Sequence, residues 1–102
     1  MSTTLALSAI LALSTAATLP APPARLGLCA ACHGRDGRAT VTDAPHLAGQ
    51  KASYLLDAMR QYRDGKRDHA VMRTVLGPLD PDELEALAQW YASQSVGVPT
   101  AP

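Results

Sequence analysis

An all-α fold of about three to four short helices is predicted by three observations. Apolar residues recur at helical spacing in two segments, 51–64 and 80–95. No strand pattern, internal repeat or second domain is visible in a chain of 102 residues, a length that suits one small domain. The third observation is the stretch Cys29-Ala30-Ala31-Cys32-His33, followed by Gly34, around which the rest of the chain is organised.

Cys-x-x-Cys-His is the attachment signature of a c-type haem. Cysteines three apart on a helical turn face one side, where their thiols add across the haem vinyl groups as thioethers. His33 then lies under the iron as its proximal ligand, and Gly34 lets the backbone turn away without a side chain striking the porphyrin. Three blander readings compete. A thioredoxin-like redox pair needs a βαβ context, which the sequence lacks. A zinc site needs a full tetrahedral ligand set, and the chain has only 2 cysteines, both in this motif. A local disulfide leaves His33 without a purpose.

The charge balance, 9 basic against 9 acidic residues, argues against nucleic acid as a partner. Every charged residue lies at or after Arg25. The uncharged opening carries an apolar run, Leu5 to Leu13, and then Ser14, Thr15, Ala16 and Ala17. It reads as a signal peptide over residues 1–17, cleaved after Ala17, although the usual basic residue near the start is missing. The other reading is an uncleaved anchor, but the run is shorter than the roughly 20 residues a spanning helix needs. Removal leaves about 85 residues, marginal for an unaided core. The chain has no phenylalanine. A buried porphyrin supplies the missing apolar mass, and folding is expected to depend on it.

The elements follow in order. Residues 18–24 form a proline-rich lead-in with Pro20, Pro22 and Pro23. Pro23 suits the first position of a helix that runs to about Cys32 and directs Leu26 and Leu28 to the core. Residues 34–50 show no apolar period and read as a loop, long enough to need an object to wrap around; the haem is that object. Lys51 to Asp64 is an amphipathic helix with Leu55, Leu56, Met59 and Tyr62 on one face, ended by Gly65. Residues 66–79 read as irregular, with a helical turn around Ala70 to Leu76. The last helix has an Asp80 N-cap, Pro81 at its first position, a capping box with Glu83, and a Leu79–Leu84 hydrophobic staple. Its apolar face is Leu84, Leu87, Ala88 and Tyr91, with Trp90 beside it. The expected domain is 25–95, with a flexible tail over 96–102.

With these pieces placed, the chain resembles the small bacterial class I cytochromes c. It is most similar to the single-haem, high-potential soluble forms and to one lobe of their two-haem relatives. The resemblance is carried by Cys-Ala-Ala-Cys-His-Gly-Arg-Asp-Gly (29–37), Pro-His-Leu-Ala-Gly-Gln (45–50), Tyr-Leu (54–55), Tyr-Arg-Asp-Gly-Lys-Arg (62–67), Met72 and Leu-Ala-Gln-Trp-Tyr-Ala (87–92). It implies the cytochrome c fold, helices wrapped around one covalent haem c with the first and last crossing. One departure is the abbreviated first helix.

The resemblance also implies roles. Met72, in a loop past the motif, stands at the family's axial position and completes a His33/Met72 iron site; a thioether ligand raises the reduction potential. Met59 is the other candidate, but it lies in an apolar helical stripe where core filling explains it. Pro45 falls where the family uses a carbonyl to accept the other ring proton of the proximal histidine. The haem-binding set is therefore Cys29, Cys32, His33, Pro45 and Met72, with His33 and Met72 on the iron. His46 and His69 are read as solvent-facing loop histidines, a bis-histidine haem being the alternative. Lys66, Arg67 and Arg73 suit haem propionates, an acidic partner or a solvated face equally. Trp90 and Tyr91 pack the last helix onto the first, with an electron conduit as the lesser reading.

The expected function is a monomeric, soluble, periplasmic one-electron carrier rather than an enzyme. Its partners are redox proteins met through transient contacts, and it reaches membranes only through their complexes. Two alternatives remain: a cytochrome subunit of a larger dehydrogenase or oxidase, and a five-coordinate haem enzyme or gas-binding protein.

Overall fold

The computed structural model describes residues 2–6, 8, 9 and 20–97. The expected cleavage point after Ala17 and positions 98–102 of the expected tail lie outside the described residues. Among these residues four α-helices follow in order, α1 (Leu26–His33), α2 (Ala52–Arg63), α3 (Ala70–Leu76) and α4 (Pro81–Ala92). Among the described residues there is no strand. The all-α fold is as expected.

α4 is the best specified element. The Asp80 side chain accepts from the Glu83 N–H at 2.8 Å, and the Glu83 side chain accepts from the Asp80 N–H at 3.4 Å. This capping box satisfies two backbone donors that the first turn would leave open. Leu79 and Leu84, the staple pair, are both buried, as are Leu87, Ala88 and Tyr91 on the same face. With Leu26, Leu55 and Leu76 they form the core. α2 contributes Leu55 fully, and Leu56, Met59 and Tyr62 pack half-buried against that core.

α1 departs from expectation in two ways. It begins at Leu26, not Pro23, with Arg25 at the N-cap position and no side-chain cap bond. A turn closes instead, with the Leu26 N–H donating to the Pro23 carbonyl at 3.1 Å. Leu28 is 48% exposed rather than in the core. Leu26, Cys29, Ala30 and His33 repeat at i, i+3, i+4 and i+7 and define the inward face; Leu28, two residues on from Leu26, points away from it.

α4 holds α1 from both ends. Arg25 Nε lies 2.9 Å from Glu83 Oε2 near the start of α1, and the Tyr91 hydroxyl donates to the Gly34 carbonyl at 2.9 Å just past its end. The first two residues of the expected tail are also engaged. Val96 lies against Gly49, and the Arg38 guanidinium donates to the Gly97 carbonyl at 2.6 Å.

Candidate functional site

α1 ends in the motif. His33 is its last residue and is 8% exposed. Its Nδ1 lies 2.9 Å from the Pro45 carbonyl oxygen. A carbonyl only accepts, so Nδ1 carries the ring proton and Nε2 keeps its lone pair for a metal. Cys29 is half-buried and Cys32 exposed, and the two sulfurs are not bonded to each other. Burial pushes the Cys29 thiol above its ordinary range. No three His, Cys, Asp or Glu side chains converge among the described residues, so the pair lacks the ligand set that zinc requires.

Gly34 turns the chain away from α1 at φ +77°. A Cβ there would collide with the Arg38 carbonyl, so the turn has no room for a side chain. Its carbonyl receives the Tyr91 hydroxyl, and the next carbonyl, Arg35, receives Trp90 Nε1 at 2.7 Å. Trp90 and Tyr91 therefore do more than pack: both polar tips grip the backbone directly after the motif. Neighbouring carboxylate and thiol groups and, above all, burial push the Tyr91 hydroxyl well above the ordinary phenol range.

The loop then returns across α1. Thr40 N–H donates to the Cys32 carbonyl at 3.0 Å and its hydroxyl to the Ala31 carbonyl at 3.1 Å, closing off carbonyls of the last helical turn. The Gly37 carbonyl accepts from Leu47 N–H at 2.7 Å and Ala48 N–H at 3.1 Å. Between these anchors lies Pro45. His46, expected to face solvent, is exposed, but its Nδ1 accepts from the Ala39 N–H at 2.8 Å. No spacing rule announces such a bond, since it depends on the loop's path.

Met72 lies in α3, not in a loop: the helical turn expected around Ala70 to Leu76 is a helix that includes it. His69 caps that helix, its Nδ1 accepting from the Met72 N–H at 3.3 Å. Met72 and Met59 are both half-buried against the core, so burial alone does not separate them. Among the basic trio, Arg67 is held by protein. Its guanidinium lies 5.8 Å and 5.5 Å from the Tyr54 and Tyr62 ring centres and donates to Gln61 Oε1 at 2.8 Å. Arg73 packs over Gly65, and Lys66 is exposed.

This donor set suits a covalent haem: two unbonded thiols on one helical turn, an imidazole with its Nε2 lone pair available, and a glycine where the chain leaves. The cytochrome c family model matches residues 26–95. The chain belongs to the cytochrome c family. Haem c, held covalently through a Cys-x-x-Cys-His motif, is the cofactor of this family domain, and Cys29, Cys32 and His33 are that motif here.

The chain is 40% identical over 75 residues to cytochrome c4 of Pseudomonas aeruginosa, covering 74% of this chain and 37% of that protein. It is 37% identical over 73 residues to cytochrome c-554(548) of Halomonas halodenitrificans, covering 69% of this chain and 88% of the relative. Among solved structures, cytochrome c4 of Acidithiobacillus ferrooxidans superposes with a TM-score of 0.60 at 26% identity, covering 64% of this chain and 37% of that one. The chain thus spans little more than a third of the cytochromes c4 it matches, the length of one lobe, and most of the cytochrome c-554(548). The likeness to one lobe of a two-haem cytochrome c4 agrees with the resemblance read from the sequence.

Proposed function

We propose that this protein is a periplasmic one-electron carrier whose haem iron is held by His33 and Met72. Haem c supplies the Fe(III)/Fe(II) couple; the chain's residues decide how it is held and tuned. Cys29 and Cys32 anchor it as thioethers, and His33 Nε2 is the proximal donor. The observation that carries this reading is the 2.9 Å contact between His33 Nδ1 and the Pro45 carbonyl. It fixes the ring's tautomer and orientation and increases the basicity of Nε2.

Met72 supports a filled sixth position because a soft thioether is a fitting partner for iron in a carrier. α3 presents it from a short helix whose first turn is capped by His69. With His33 and Met72 both given to the iron, no position would be left for a substrate, which would argue against an enzyme. Redox proteins are the partners by the same logic. Export follows from the apolar, uncharged opening of the chain. No helix among the described residues is long and apolar enough to cross a membrane.

The test is an absorption spectrum of the exported protein, oxidised and then reduced, before and after acid and solvent extraction. Haem that stays with the polypeptide, with a low-spin spectrum and a weak sulfur-to-iron charge-transfer band, is the expected result. Rapid carbon monoxide binding to the ferrous protein would remove Met72 from the iron and turn the reading toward ligand-binding chemistry.

A further inference from the structure

Three hydrogen bonds in the 32–46 region close a ring through three pairs of adjacent residues. Thr40 N–H donates to the Cys32 carbonyl at 3.0 Å, Ala39 N–H to His46 Nδ1 at 2.8 Å, and His33 Nδ1–H to the Pro45 carbonyl at 2.9 Å. Cys32 is bonded to His33, Ala39 to Thr40 and Pro45 to His46, so the circuit is complete. Two of its three bonds are backbone or belong to the proximal histidine itself. The third depends on one side chain, that of His46.

Pro45 has no N–H with which to anchor its own peptide. On its C-terminal side the next backbone anchors are the Leu47 and Ala48 N–H groups on the Gly37 carbonyl. On its N-terminal side the nearest is a long 3.4 Å turn bond from Ala44 N–H to Val41. The Pro45 carbonyl therefore sits between a firm anchor and a loose one. The His46 ring ties the residue beside it across the loop to Ala39, and Ala39 is tied through Thr40 to the end of α1. Nδ1 of His46 receives an N–H, so it bears a lone pair and the ring proton is on Nε2.

We propose that His46 is a positioning residue for the proximal iron ligand: by accepting the Ala39 N–H it holds the Pro45 carbonyl on His33 Nδ1 and keeps the reduction potential lower than it would otherwise be. This rests on the reading of His33 as the proximal ligand. The bond from Nδ1–H to a carbonyl makes Nε2 a stronger donor, and a stronger donor favours the ferric state. Loosening the carbonyl weakens that bond and moves the potential in the positive direction. His46 needs no contact with the haem to have this effect.

Three variants of the haem-loaded protein test it. In His46→Asn the Oδ1 atom stands close to where Nδ1 was and still accepts; in His46→Gln the acceptor lies one methylene further out; in His46→Ala there is none. Two quantities are read on each, the midpoint potential and the hydrogen-exchange rate of the Ala39 amide. The expected result is a positive shift in potential with faster Ala39 exchange in the Ala and Gln variants, and recovery of both toward wild type in the Asn variant. His46 is exposed, and the Asn–Gln pair keeps a polar side chain throughout, so the comparison survives if the Ala variant does not accumulate. Faster exchange with an unchanged potential would reduce His46 to a loop clip and overturn the proposal. A negative shift would do so as well, since it would mean that admitting water outweighs the bond to His33. Failure of the parent reading looks different: the wild-type protein would then lack a low-spin, histidine-ligated haem before any variant was made.

Discussion

Replacing Tyr91 with Phe removes a single oxygen and tests whether α4 holds the haem-bearing turn through that atom. The ring is buried, and its hydroxyl donates to the Gly34 carbonyl at 2.9 Å. Phe keeps the packing. A buried acceptor left without a donor costs about 1–3 kcal/mol, but the Gly34 carbonyl retains a long contact of 3.4 Å from the Gly37 N–H. The expected loss therefore lies at the low end, about 1–1.5 kcal/mol. For a domain this small, each kcal/mol moves Tm by roughly 4–8 °C, so a fall of roughly 5–10 °C is expected. Thermal unfolding of the haem-loaded protein, followed by circular dichroism, reads it. The pH dependence gives a second signature. Burial, then the charges of Cys29 and Asp36, push the Tyr91 hydroxyl upward. As a haem thioether Cys29 carries no charge, so burial and Asp36 remain. An acid whose folded pKa is raised adds stability below its unfolded value, about 10; above that pH the unfolded chain ionises first and the contribution drains away. The gap between wild type and Tyr91→Phe should be constant at neutral pH and shrink above about pH 10. An unchanged Tm at neutral pH would refute the clamp. A gap that widens in alkali would refute the assignment of the shift to burial.

Leu84→Ala is expected to be far more damaging, because Leu84 is 0% exposed and truncating a leucine in such a site costs about 2–5 kcal/mol. Denaturant titration should show the midpoint falling by a large part of the total stability. Asp80→Ala removes the N-cap of α4 and should cost about 1 kcal/mol; a loss no larger than that of an exposed control such as Asp57→Ala would mean the capping box contributes little. Met72→Ala should open the iron to carbon monoxide and lower the potential, whereas Met59→Leu, a volume-conserving core change, should cost less than about 1.5 kcal/mol and leave the spectrum alone. If Met59→Leu alone abolished the native spectrum, the two methionines would exchange roles.

Sequence made the helices legible wherever the information is local. The capping box, the proline and the staple of α4 lie within six consecutive residues, Leu79–Leu84, and each fell where spacing placed it. The covalent motif is local in the same sense. What escaped is the set of bonds between one polar side-chain atom and a distant backbone group. Tyr91 and Trp90 read as packing because their rings sit on or beside an apolar face, yet their tips reach Gly34 and Arg35 across 57 and 55 residues. His46 and His69 read as loop histidines, and both cap a backbone N–H. Leu28 was misplaced for the opposite reason: its apolarity was counted before its angle around the helix. A partial signal for the hidden bonds did exist, in Gly34 and Gly37. Both adopt positive φ, and a Cβ on Gly37 would stand 2.5 Å from the Ala48 nitrogen. Glycines that must be glycine fix the path of the 34–50 loop. Only that path brings the His46 ring to Ala39 and the Pro45 carbonyl to His33, so hydrogen bonds within the protein, and not only a cofactor to wrap around, set the course of the long loop.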